Sequence, residues 1–319
     1  MVLLNNLHTK EYLKELYDLP LEDKIIVSQK LIKEWYDYFD GAVYISFSGG
    51  KDSTVLKHLV GNTLGVRDVT SIFINTGLEY PEIIKFVVSQ PNVEMVYPQM
   101  RFDEVIKKYG YPVISKEVAD CIHGARLSLE KGADSARLQK MQGRFKDKDG
   151  EKSPYNYKKY EYLLDALFEI SPYCCNIMKK KPAKIYEKES KRKPYLGITV
   201  DESFQRKNNW LRYGCNAFEN KRQYSAPLSF WSENDILQYI SDKQIPYADC
   251  YGEIKQDENG NYYTTGLKRT GCMFCMFGVH LEKEPNRFQQ MKSTHPAQYD
   301  FCINKLGIGK VLDYIKVKY

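Results

Sequence analysis

The chain has 319 residues, 43% of them hydrophobic and 28% charged, with a formal net charge of +6. This is ordinary globular composition over a length that suits one or two domains, and the absence of an apolar run of membrane-spanning length predicts no membrane span. The start, MVLLNNLHTKEYL, lacks a basic n-region, a continuous apolar core and a small-residue cleavage site, so a cytoplasmic setting is expected; eight cysteines there point to metal or redox chemistry in place of a disulfide framework.

From Thr9 to Phe39 the apolar residues Leu13, Leu16, Ile25, Ile26, Leu31, Ile32 and Trp35 recur at helical spacing, broken at Pro20 and closed by Gly41. A strand (AVYISF), a helix (STVLKHLVGNT), a second strand (VTSIFIN), a second helix (PEIIKFVVSQ) and a third strand (VEMVYP) follow. That alternation implies βαβ units and a doubly wound, mostly parallel α/β sheet. The segment from Phe102 to Ser171 is polar, basic and tyrosine-rich, and reads as inserted helices with a mobile loop around KDKDGEKSPYN. Two dense basic runs, RLQKMQGRFKDKDGEK and KKKPAKIYEKESKRK, are either a solvated helical face or a surface for an anionic partner, and charge alone leaves both open. The β signal returns at PYLGITV. SENDILQYISDKQIPY then reads as a helix with Ser232 as N-cap and Glu233 to Asp235 at the positive end of its dipole. The expected layout is a helical lead-in over 1–41, an α/β domain over 42–278 with a basic insertion at about 102–171, and a helical extension over 279–319.

Between the first strand and its helix lies SGGKDS, Ser48 to Ser53. A glycine-rich strand-to-helix turn aims backbone N–H groups and a helix N-terminus at one point, which suits phosphate. Gly49 and Gly50 permit the tight backbone, Lys51 supplies a cation, and Ser48, Ser53 and Thr54 supply hydroxyls. Asp52 suits helix capping and the placing of Mg²⁺. A Walker A loop is excluded because Ile45 takes its first glycine position and Asp52 follows the lysine; the dinucleotide pattern Gly-x-Gly-x-x-Gly is absent. The motif resembles the PP-loop of N-type ATP pyrophosphatases, which cleave ATP between the α and β phosphates.

Cys174 and Cys175 are adjacent, and Cys272 and Cys275 form Cys-x-x-Cys. Four such thiols suit zinc or an iron–sulfur cluster, and spacing alone does not separate these. The Cys-Cys and Cys-x-x-Cys pairs are similar to the cluster signature of the iron–sulfur branch of the phosphoadenosine phosphosulfate (PAPS) reductase family. FINTGLEYPE, GITVDESFQR and APLSFWSENDILQYISDKQIPY resemble successive segments of that family, with Asn75 where it has aspartate. The chain also looks like the PAPS-reductase-like subunit of DNA phosphorothioation systems.

The resemblance implies Cys174, Cys175, Cys272 and Cys275 as ligands of a [4Fe–4S] cluster, with Lys179 near it. It implies a nucleotide site of Ser46, Ser48, Gly49, Gly50, Lys51, Asp52, Ser53, Thr76, Gly77, Glu79, Gly197 and Arg206, in which Lys51, Asp52 and Arg206 are catalytic. Two features depart from the sulfonucleotide reductases: their phosphate loop is usually degenerate and here it is intact, and the chain ends GKVLDYIKVKY in place of their Glu-Cys-Gly-Leu-His-type tail. Cys302 has apolar neighbours that favour a buried structural thiol, and Cys121, Cys215 and Cys250 default to structural roles.

The expected function is an adenine-nucleotide enzyme, ATP being favoured over adenylyl sulfate or PAPS, that works with Mg²⁺ beside the cluster in adenylation-linked sulfur transfer. A sulfur donor or thiol reductant would be its partner, and a homo-oligomer is compatible with the sequence. The alternatives are a reductase forming sulfite and a non-enzymatic regulator that binds nucleic acid through the basic segments.

Overall fold

In the computed structural model, which describes residues 8–64 and 69–319, the apolar strand-length runs pair with one another in parallel. Residues 1–7, on which the expectation about the start of the chain falls in part, lie outside the described residues. Strands β1 (Val43–Ser46), β2 (Ser71–Ile74) and β3 (Val93–Val96) join a fourth strand, Lys193–Leu196, in the spatial order β3, β2, β1, fourth. β1 is central and covered on both faces, which is why Val43, Tyr44 and Ile45 form an unbroken buried run. The chain winds outward from β1 to β3 and then returns to the other side of β1. This reversal at the carboxyl end of β1 is where ligands gather in open α/β sheets.

The chain divides into two compact units. The first comprises the residues up to Asn75 with Glu79–Tyr97 and Ala183–Thr270, and it contains the whole parallel sheet. The lead-in is two helices, α1 (Lys10–Tyr17) and α2 (Leu21–Tyr38), and the crossovers from β1 to β2 and β2 to β3 are α3 (Lys51–Leu64) and α4 (Pro81–Ser89). Ile32 and Trp35 of α2 are fully buried, and the Ile32 carbonyl accepts from the Tyr195 hydroxyl at 2.7 Å. Ser232 caps the helix Glu233–Asp242 in a reciprocal capping box with Asp235.

The same Asp235 carboxylate receives the buried Lys24 ammonium at 2.6 Å, tying α2 to that helix. Lys24→Met leaves this carboxylate with only its Ser232 partners, so a loss of about 3 kcal/mol is expected in urea denaturation. A loss under about 1 kcal/mol would show that the pair contributes little.

The second unit comprises Thr76–Leu78, Pro98–Pro182 and Gly271–Tyr319. It is built from helices, including Lys116–Glu130, Ala136–Gln142 and the 3₁₀ segment Lys158–Asp165, with one short parallel pair, Val113–Ile114 against Met276–Phe277. Arg126 is its main polar fastener: the guanidinium donates to the carbonyls of Leu163, Leu164, Ala166 and Phe168 at 2.7–3.1 Å.

Several of the basic residues of this unit are matched internally. Arg137 pairs with Asp120, Lys140 with Glu117, Arg144 with Asp134 and Lys158 with Glu161. The expected loop at KDKDGEK is a closed turn, because Lys146 bridges Lys152 and the Asp147 carboxylate accepts from the Asp149 and Glu151 N–H groups, each at 3.0 Å. Among the described residues, no helix is long and apolar enough to cross a membrane.

Candidate functional site

The SGGKDS segment forms the turn from β1 into α3, and its first glycine is required by geometry. Gly49 has φ +71°, and a Cβ there would lie 2.7 Å from Val87 Cγ2 and 2.8 Å from Ile83 Cγ2 of α4. A Cβ on Gly197, just after the fourth strand, would come within 2.9 Å of the Ser53 Cα, so this glycine lets the helix start approach the sheet. Ser46 ends β1, paired with Ile72 on one side and Leu196 on the other. Within the turn, the Ser48 N–H donates to Ser53 Oγ at 3.2 Å, and the Ser53 and Thr54 hydroxyls donate to the Gly50 carbonyl at 2.9 and 3.0 Å. The loop therefore holds its shape through its own hydroxyls.

Lys51 opens α3 and is only 4% exposed. Its ammonium donates to the Lys268 carbonyl at 2.9 Å and pairs with Glu233 at 3.0 Å. Its backbone N–H donates to the Tyr251 hydroxyl at 3.3 Å, and that hydroxyl meets Thr270 Oγ1 at 2.7 Å. Burial pushes the Tyr251 phenol up to about 12, so it stays protonated as a hydrogen-bonding group.

Arg206 lies in the first turn of the helix Phe204–Tyr213 and is ion-paired with Glu202. Burial and then the neighbouring Arg269 lower its pKa, while Asp52 acts in the opposite sense. Two guanidiniums in each other's field beside the loop favour a further anion.

The first unit thus gathers Ser46, Ser48 to Ser53, Gly197 and Arg206 around one loop, and it also contains Glu79. Thr76 and Gly77 belong to the second unit, where Thr76 Oγ1 accepts from the Leu78 N–H at 3.2 Å and Gly77 has φ +73°. Sequence reasoning missed Tyr251, Lys268, Arg269 and Thr270, and treated Glu233 only as a helix-dipole residue. The one signal for them was Lys-Arg-Thr directly before Gly-Cys-x-x-Cys.

All four cysteines of the predicted set lie in the second unit. Cys174 and Cys175 start a helical turn that widens into the π-helix Asn176–Lys180, a distortion frequent at functional sites. The Cys275 N–H donates to the Cys272 carbonyl at 3.1 Å, closing a tight turn. Burial raises the Cys174 thiol, Cys175, Cys272 and Cys275 raise it further, and Lys179 opposes them. Burial likewise raises Cys275, which also lies in the fields of Arg287, Cys175 and Lys179. The Arg287 guanidinium donates to the Cys275 carbonyl at 3.1 Å and is held by Glu282.

Four thiols in one electrostatic neighbourhood, with two cations near them, fit a group that needs thiolate ligands and brings negative charge. As they stand, no three or more His, Cys, Asp or Glu side chains among the described residues form a closed metal-holding group. Cys302 is fully buried and its thiol is raised by burial, which suits packing and not attack.

The family model for the phosphoadenosine phosphosulfate reductase domain matches residues 42–119 and 135–276. The chain belongs to that family. The matched residues include SGGKDS, Arg206 and all four cysteines of the set.

Two uncharacterized proteins of Methanocaldococcus jannaschii are similar to the chain. MJ0066 is 27% identical over 76% of this chain and 38% of its own length, and MJ0973 is 23% identical over 88% and 52%. The chain therefore spans about half or less of these relatives. Among solved structures, the PAPS reductase of Candida auris in its phosphate complex matches with 16% identity over 79% of this chain and 97% of that one, at a TM-score of 0.40.

Proposed function

We propose that this PAPS-reductase-family chain binds ATP at SGGKDS and catalyses adenylation-linked sulfur transfer, with a [4Fe–4S] cluster on Cys174, Cys175, Cys272 and Cys275. The observation that carries this reading is the complete loop built around an enclosed Lys51, with Arg206 and Arg269 beside it. Such a constellation offers three cations to a triphosphate.

The loop N–H groups and Lys51 bind and orient the phosphates, and Asp52 helps place Mg²⁺. An acceptor oxygen attacks the α-phosphorus, the α–β bridging bond breaks, and its electron pair leaves with pyrophosphate. A sulfur nucleophile then attacks the adenylated carbon, and AMP departs with the carbon–oxygen bonding pair. In the first step Lys51, Arg206 and Arg269 offset charge that grows on the leaving phosphates, so positioning and electrostatics supply most of the rate. When bound, the cluster supplies one-electron redox capacity and a fixed negative charge; Lys179 and Arg287 would balance that charge.

Family membership favours one second reading: reduction of adenylyl sulfate or PAPS to sulfite by a thiol reductant. Anaerobically purified protein is expected to carry about four irons and to exchange labelled pyrophosphate into ATP when acceptor is present. Sulfite release from PAPS without exchange would select the second reading, and stoichiometric zinc without iron would end the cluster assignment.

A further inference from the structure

We infer that Glu233 is an exchangeable counter-ion of Lys51, which a nucleotide phosphate must displace to reach the loop lysine. This rests on the ATP reading above. The Lys51 ammonium has three protons, and two of its partners are already present: the Lys268 carbonyl at 2.9 Å and a Glu233 oxygen at 3.0 Å. The Tyr251 ring lies against it at 5.8 Å. The lysine side chain is 5% exposed, so its charge is enclosed, while the Glu233 side chain is 54% exposed.

The two oxygens therefore differ in how readily they leave. The Lys268 carbonyl is backbone, held in the segment whose Thr270 meets Tyr251. Glu233 is the first residue of its helix, where the dipole stabilises a carboxylate whether or not it is paired, and its exposed side chain can turn to water. A phosphate reaching Lys51 adds two or more negative charges beside a carboxylate already facing the same ammonium. Like charges there repel, and the mobile one gives way. Glu233 thus holds the lysine in place while the loop is empty and weakens the first phosphate contact.

Glu233→Gln keeps an oxygen that can accept from the ammonium but removes the competing charge. The full-length variant is expected to bind Mg–ATP and inorganic pyrophosphate about threefold to tenfold more tightly than the parent chain, by calorimetry at low ionic strength, with the gain shrinking at high salt. In a Lys51→Met background the gain should be clearly smaller, because the ammonium no longer draws both anions to one point. Equal or weaker binding by E233Q, with thermal unfolding unaltered, overturns the counter-ion role and marks Glu233 as a positioning residue. If neither protein binds ATP or pyrophosphate, the ATP reading itself fails and this inference falls with it.

Discussion

Replacing Lys51 by methionine is expected to lower acceptor-dependent ATP–pyrophosphate exchange by about 10²–10³-fold, the usual cost of deleting one enclosed cation or donor that meets developing charge. The side chain is almost sealed from solvent, so neither water nor buffer cations can replace it easily. Arginine is a poor substitute: the pocket presents one carbonyl and one carboxylate to a compact ammonium, and a planar fork needs a different arrangement of acceptors. K51R should therefore recover little of the lost rate. Exchange within threefold of the parent rate in K51M would remove the loop from the chemistry. Protein stability should change little, since Glu233 is half-exposed and can hydrate once its partner is gone.

The largest stability effect is expected at Arg126. Arg126→Ala leaves the carbonyls of Leu163, Leu164, Ala166 and Phe168 without this donor at the end of the 3₁₀ segment Lys158–Asp165. The Leu163 carbonyl keeps the Ala166 N–H at 3.4 Å, but the other three lose this donor, and at about 1–3 kcal/mol for each acceptor left unpaired a combined loss of about 3 kcal/mol or more follows. Arg126→Lys keeps the charge, yet a single ammonium cannot span four acceptors that a guanidinium reaches with three nitrogens, so it should recover less than half. Guanidinium-chloride unfolding measures the loss, and limited proteolysis between Lys158 and Glu169 localises it. A loss below about 1 kcal/mol in R126A would mean that these carbonyls find other partners.

Much of the candidate site was legible because its chemistry is local. Ser48 to Ser53 form one turn whose backbone requirement is written in two adjacent glycines, and the strand before it and helix after it announce themselves by period. Gly197 and Arg206 were reached through the family resemblance, and the structure supplies the reason for Gly197: a side chain there would strike Ser53. Glu233 was legible as a first-turn acid but not as the partner of Lys51, because 182 residues separate the two and nothing in either local pattern encodes the meeting. The basic stretch carries internal pairing that its composition does not reveal, since a count of lysines and arginines does not show that Asp120, Glu117, Asp134 and Glu161 answer four of them.

By itself the sequence determined the class of fold and singled out a candidate phosphate turn and a candidate four-cysteine set, because period, glycine placement and cysteine spacing are short-range properties that survive without coordinates. Only the tertiary structure decided that Lys51 is enclosed between Lys268 and Glu233, that Arg269 stands beside Arg206, and that Arg126 fastens the second unit. Those contacts join segments distant in the chain, and their energies depend on burial and on which charges end up facing one another.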